Sequence, residues 1–146
     1  MAATFRFLEH IAIADVAFEA SGETPSELFT AAAQAVIETM VNSSSVSSSW
    51  SLNIEREEED VSSLLFEWLS DIVYVKDAEG VVFQKTTATV LEDPMRHVWR
   101  LQGTLSGEYI DSKRHELRSD VKAVTKHLYE VLEQDNRWTA RVVLDI

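Results

Sequence analysis

Hydrophobic and polar positions change period several times along this chain. From Ile13 to Ala20 the residues form a short apolar run, interrupted on one face by Asp15 and Glu19 and closed by Ser21-Gly22, which predicts a strand ending in a turn. Thr24-Pro25-Ser26-Glu27 follows with three helix-start signals: a hydroxyl to cap, a proline suited to the first helical position, and a glutamate placed for a capping box. Leu28, Phe29, Ala32, Ala35, Val36, Thr39 and Met40 then recur at helical spacing until Asn42-Ser43-Ser44-Ser45 ends the pattern. After the polar Ser47, Ser48 and Ser49, alternation of Trp50, Leu52 and Ile54 predicts a second strand.

Glu57-Glu58-Glu59-Asp60 precedes Val61, Leu64, Leu65, Trp68, Leu69, Ile72 and Val73, so a second helix is expected with acid at its positive end and Asp60 as its cap. Beyond Asp77-Ala78-Glu79-Gly80, the segments Val81 to Leu91 and His97 to Leu105 alternate as a hairpin turning through Glu92-Asp93-Pro94-Met95. Gly107 to His115 is polar and reads as an exposed loop. Asp120 to Glu133 and Trp138 to Asp145 read as a last pair joined through Gln134-Asp135-Asn136-Arg137. The order is strand, helix, strand, helix, then four strands. That predicts an α+β fold, a single domain over residues 1–146 with two helices packed on mainly antiparallel sheet.

Composition narrows the function. The chain has 146 residues, 45% of them hydrophobic, enough for one real core and too few for two. With no cysteine, disulfides, zinc–thiolate centres and cysteine nucleophiles are excluded. No apolar run approaches the roughly 20 residues of a membrane span, and Met1-Ala2-Ala3-Thr4-Phe5-Arg6 lacks the layout of a secretory signal, so a soluble cytoplasmic protein without a membrane role is expected. A formal net charge of -12 repels nucleic acid, so no direct tight nucleic-acid binding is expected, while a divalent cation or a basic partner surface is favoured.

Catalytic patterns are absent from the sequence. Ser43 to Ser49 carries no nucleophile elbow, four glycines form no phosphate cradle, and His10, His97, His115 and His127 define no triad. Thr125 and His127 lie two apart, so a regular strand would give them a common face. Trp50, Trp68, Trp99 and Trp138 sit within apolar runs and are expected to pack in the core or against a partner instead of stacking on bases.

The two ends hold the most suggestive chemistry. Asp15 lies in the first apolar run, Asp145 near the end of Val142-Val143-Leu144-Asp145-Ile146, and Ile146, as the last residue of the sequence, adds an α-carboxylate. A carboxylate within a buried strand needs a positive neighbour, and three together outline a site for a hard cation should the two strands be neighbours. In the plainer alternative, Asp15 caps a strand or pairs with Lys122 while Asp145 and Ile146 sit in water.

An ordered series of motifs spans nearly the whole chain. It comprises Leu8-Glu9-His10 with Ala14-Asp15-Val16 and Gly22, Leu28-Phe29 with the alanine-rich first helix, and Leu65-Phe66-Glu67-Trp68-Leu69. His115-Glu116-Leu117 with Val121-Lys122-Ala123-Val124-Thr125-Lys126-His127, and terminal Leu144-Asp145-Ile146, complete it. This series resembles the archease family. The resemblance implies an α+β fold with a strand-helix-strand-strand module, and a non-catalytic accessory protein that activates an RtcB-type tRNA-splicing and RNA-repair ligase by promoting its guanylylation and multiple turnover. It also implies a divalent-metal pocket at positions matching Asp15, Asp145 and Ile146, with calcium the first expectation and manganese or magnesium as alternatives. A general chaperone-like module with structural carboxylates is the competing expectation. The chain departs from the family pattern by two extra residues between His10 and Ala14-Asp15, and by Lys126 where an aromatic is common.

Overall fold

The computed structural model describes residues 3–9 and 15–146. Its first helix, α1 (Pro25–Met40), begins as its sequence dictates: Thr24 Oγ1 accepts the Glu27 N–H at 3.1 Å, and the Glu27 carboxylate accepts the Glu23 N–H at 2.9 Å. Consecutive Ala31, Ala32 and Ala33 are all buried, so α1 has almost no solvent-facing side. A helix apolar all round must be covered all round, and the fold supplies two sheets for this purpose.

One sheet has strand order β1-β2-β7-β6, formed by β1 (Thr4–Leu8), β2 (Val16–Gly22), β6 (Ala123–Gln134) and β7 (Arg137–Asp145), all neighbours antiparallel. The other has the order β3-β5-β4, from β3 (Trp50–Glu58), β4 (Val81–Asp93) and β5 (Val98–Tyr109). Helix α2 (Val61–Glu79) connects β3 to β4, so β3-α2-β4-β5 is a contiguous strand-helix-strand-strand unit. Asp60 caps α2 by accepting the Ser63 N–H at 2.7 Å, and Gly80 ends it in the left-handed conformation, φ 66°.

Trp68 ties the layers together. Its ring is fully buried, its Nε1–H donates to the Phe29 carbonyl of α1 at 3.1 Å, and it lies against Gly103 of β5, where a Cβ would fall 2.7 Å from ring carbons. Phe18, Phe29, Phe83, Leu64, Leu69 and Ile72 join it in one core spanning both sheets. Trp50, Trp99 and Trp138 pack partly buried against that core, with Trp99 and Trp138 edge to face at 6.3 Å. The expectation that the tryptophans pack against apolar neighbours holds.

Several boundaries differ from expectation. The N-terminal region contributes an additional strand, β1, and β2 begins at Val16; Ile13 and Ala14 of the expected strand lie outside the described residues. The acidic run does not lie on the start of α2: Glu57 and Glu58 end β3, and the first turn of the helix holds no acidic residue. Glu57 instead pairs with Arg96 and Arg100. The segment from Gly107 to His115 is an exposed loop only in part: β5 runs on to Tyr109, residues 110–114 are exposed turn, and Glu108 and His115 are buried. Strand β6 starts at Ala123, later than Asp120, and is irregular: its register against β7 shifts between Thr125 and Glu130, with Leu128 at φ 56°. That bulge interrupts the alternation that would give Thr125 and His127 a common face.

Candidate functional site

Strands β2 and β7 lie far apart in sequence and side by side in the sheet. Their register sets Val16 opposite Leu144 and Ala17 opposite Val143, so Asp15 and Asp145 follow as the next residues at the same end of two adjacent strands. Phe18, Ala20, Val142 and Leu144 point into the core, and Ile146 packs against it. Ala17 and Val143, which alternate with these residues, are buried without joining the core cluster. The structure therefore brings together the backbone positions of all three carboxylate-bearing residues. All potential donors there are oxygens, the chemistry of a hard cation. Among the described residues no group of three or more His, Cys, Asp and Glu side chains is gathered closely enough to hold a metal. Asp15 and Asp145 thus supply two side-chain carboxylates, and a third would have to come from the α-carboxylate of Ile146. His10 lies outside the described residues.

The segment after β5 builds the surroundings. Helix α1 ends without glycine and without a basic residue in its last turn, leaving its last carbonyls to be satisfied from elsewhere. The chain from Glu116 to Ser119 does this: Ser119 N–H donates to Thr39 O at 2.9 Å, Arg118 N–H to Met40 O at 2.8 Å, and the Arg118 guanidinium to Glu38 O at 2.9 Å. Returning, Asn42 N–H donates to Glu116 O at 2.9 Å. Arg118 and Ser119 thereby form one wall of an open groove of about 480 Å³ whose other lining includes Asp15, Val16, Glu38 and Phe7. Burial works against the charge on Glu38, but hydrogen bonds from Ser43 and Gln34 and the nearby Arg118 outweigh it and hold its carboxyl below the ordinary value.

At the far end, Lys122 N–H donates to the Asp145 carbonyl at 2.8 Å, joining this segment to the end of β7. Lys122 forms no ion pair with Asp15 among the described residues. Asp120 is engaged elsewhere, its carboxylate accepting from Lys76 Nζ at 2.8 Å, which lowers its pKa.

A polar clasp forms around the buried Glu108 and His115. The Glu108 carboxylate accepts the Ser47 N–H at 2.8 Å, two N–H groups of Arg114, and His115 Nε2–H at 2.7 Å. Arg114 foremost, then His115 and Ser47, hold Glu108 well below the usual carboxylate range. His115 Nδ1 accepts the Asp111 N–H at 2.9 Å, which fixes the ring as the Nε2–H tautomer. Sequence reasoning missed Glu108, Arg114, Arg118 and Ser119. The signal present was the alternation continuing through Gly107-Glu108-Tyr109, masked by polar residues on both faces. Lys126, the departure from the family pattern, places its Nζ 3.8 Å over the Phe66 ring of α2.

Comparison with known proteins places this geometry among relatives. The chain matches the Archease protein family over residues 5–146. It is 39% identical over 134 residues to Protein archease of Methanothermobacter thermautotrophicus, covering 91% of this chain and 93% of that one. It is 33% identical over 139 residues to Protein archease of Methanopyrus kandleri, covering 95% and 96%. The solution structure of Methanobacterium thermoautotrophicum protein 1598 superposes with a TM-score of 0.81 at 35% identity, covering 97% of this chain and 98% of that chain. The crystal structure of an archease from Thermotoga maritima, described as a possible chaperone, shares the fold with a TM-score of 0.59 at 16% identity, covering 95% and 100%. With a family match over almost its whole length and relatives above 30% identity, the chain belongs to the archease family.

Proposed function

We propose that this protein is a non-catalytic activator of an RtcB-type RNA ligase, and that Asp15, Asp145 and the α-carboxylate of Ile146 hold a divalent cation, calcium first, with manganese or magnesium also accepted by oxygen ligands. The observation that carries the reading is the β2–β7 register, which sets two acidic residues at one end of neighbouring strands beside the last residue of the sequence. A bound cation would supply positive charge at a point on a surface otherwise strongly acidic, suited to the phosphate chemistry of guanylylation. The chain's own part is to hold the ion with the two aspartates and to shape the groove between Arg118 and Asp15. A net charge of -12 favours action on a protein partner over direct RNA binding in the cytoplasm.

Asp15→Ala and Asp145→Ala are each expected to weaken calcium and manganese binding at least about tenfold by calorimetric titration, and to remove stimulation of ligase guanylylation. A short C-terminal extension should do the same by displacing the free carboxylate. Normal stimulation by both aspartate variants would sink the mechanism. The second reading, a chaperone-like module, is supported by exposed Tyr74, Tyr109, Ile110 and Leu117 and by the description of the Thermotoga maritima relative. It requires suppression of the aggregation of unrelated proteins without added metal.

A further inference from the structure

The Glu108 clasp points to a function of its own. His115 is 5% exposed and sits between two groups with opposite demands: the Glu108 carboxylate, which needs a donor at Nε2, and the Asp111 N–H, which needs an acceptor at Nδ1. Only the neutral ring with its proton on Nε2 meets both. A histidine is the side chain that takes up a proton in mild acid. Were a solvent proton to add to the Nδ1 lone pair, the new N–H would face the Asp111 N–H, donor against donor. The same proton would place an imidazolium beside the Arg114 guanidinium, two cations on one carboxylate.

We propose that His115 is an acid-sensitive latch: its second proton opens the Asp111–His115 turn and releases the segment through Ser119 that caps α1 and walls the Asp15 groove. Behind the latch, the segment is held by the Arg118 and Ser119 N–H bonds to Met40 O and Thr39 O, by the Asn42–Glu116 bond, by the Glu116 N–H on Ser45 Oγ and by the Arg118 guanidinium on Glu38. The turn itself closes through His115 N–H and Arg114 N–H, both on Asp111 O, at 2.9 and 3.1 Å. The charged groups around the ring are Glu108 from β5, and Arg114 and Asp111 from the segment itself; the stretch before β3 contributes Ser47. Glu108 attracts an imidazolium and so delays release, while Arg114 opposes it. Protonation at Nδ1 removes the acceptor that the Asp111 N–H uses and sets two donors face to face.

The latch is tested by amide hydrogen exchange of the metal-free protein between pH 7.5 and 5.0, corrected for intrinsic rates. The Arg118 and Ser119 amides should show an opening constant that rises with acid toward the tenfold per pH unit of one linked proton, while amides in the middle of α2 stay flat. His115→Gln keeps an N–H donor for Glu108 and cannot titrate, so its Arg118 and Ser119 amides should exchange without pH dependence. A flat wild type overturns the latch. So does the same rise in His115→Gln, which would assign the response to a carboxylate. Ring 15N shifts of His115 in the wild type give a check independent of any variant: the ring and the opening must share one midpoint, and separated midpoints overturn the proposal. Only the effect on the groove rests on the Asp15 reading, and exchange is measured without metal or ligase, so failure of one leaves the other standing.

Discussion

Single residues in this protein matter most where backbone meets backbone. Gly107 of β5 faces the irregularity between Phe83 and Lys85 of β4, and a Cβ there would run into Val82 O and sit 2.8 Å from the Phe83 Cα. Both neighbours are main chain, so relief requires moving a strand. Gly107→Ala should therefore lie at the upper end of overpacking costs, about 3 kcal/mol, read as a lowered midpoint in denaturant unfolding with an unchanged slope. An unshifted midpoint would mean that β4 gives way locally at its bulge. The same principle separates what residue types reveal from what they hide. Gly80 after a helical pattern announces a helix end, and its φ of 66° agrees. Nothing in the letters marks Gly107 as a contact point, because its partner lies in another strand.

At the scale of elements, starts and stops were the most legible features. Thr24 with Glu27, Asp60 and Gly80 all act as their types suggest, since capping depends on neighbours within four residues. The hairpin through Asp135 and Asn136, at φ 55° and 59°, is local in the same sense. The acidic run shows where local reasoning misleads: four acids before a helix looked like dipole compensation, but β3 extends through Glu58 and leaves only Asp60 to cap. Asp60→Ala should accordingly cost about 1 kcal/mol, whereas Glu59→Gln should stay within about 0.5 kcal/mol. Thermal unfolding followed by circular dichroism distinguishes them, and equal losses would restore the dipole account. The C-terminus of α1 shows the opposite case. Its cap is built from Arg118 and Ser119, nearly 80 residues away, beyond any window of sequence periodicity.

Over the whole molecule, charge governs the response to conditions. With a net charge of -12, long-range repulsion opposes compactness at neutral pH. Raising salt from about 0.01 M to about 1 M shortens the screening length from roughly 30 Å to roughly 3 Å, so the thermal midpoint at pH 7 should rise. A fall would mean that pairs such as Arg56–Asp71 outweigh the repulsion. Acid acts in the other direction. Glu38, Glu108 and Asp120 have carboxyls held below their ordinary values of 4.5 and 3.8, so their contribution is complete above about pH 4.5. It should be lost as pH falls through their folded values, and the midpoint should drop steeply there.

Taken alone, the sequence determined the element types, the helix caps, the hairpin turns and an α+β architecture, because each follows from contacts within a few residues or from a repeating apolar face. The ordered motifs determined the family. Tertiary structure decided that two sheets enclose α1, that β2 and β7 are neighbours so that Asp15 and Asp145 end together, and that Glu108 and His115 are buried partners instead of exposed residues. Those facts depend on which distant segments pair. Strand pairing is selected by the joint burial of whole faces, a property of the assembled core that no short stretch of residues carries.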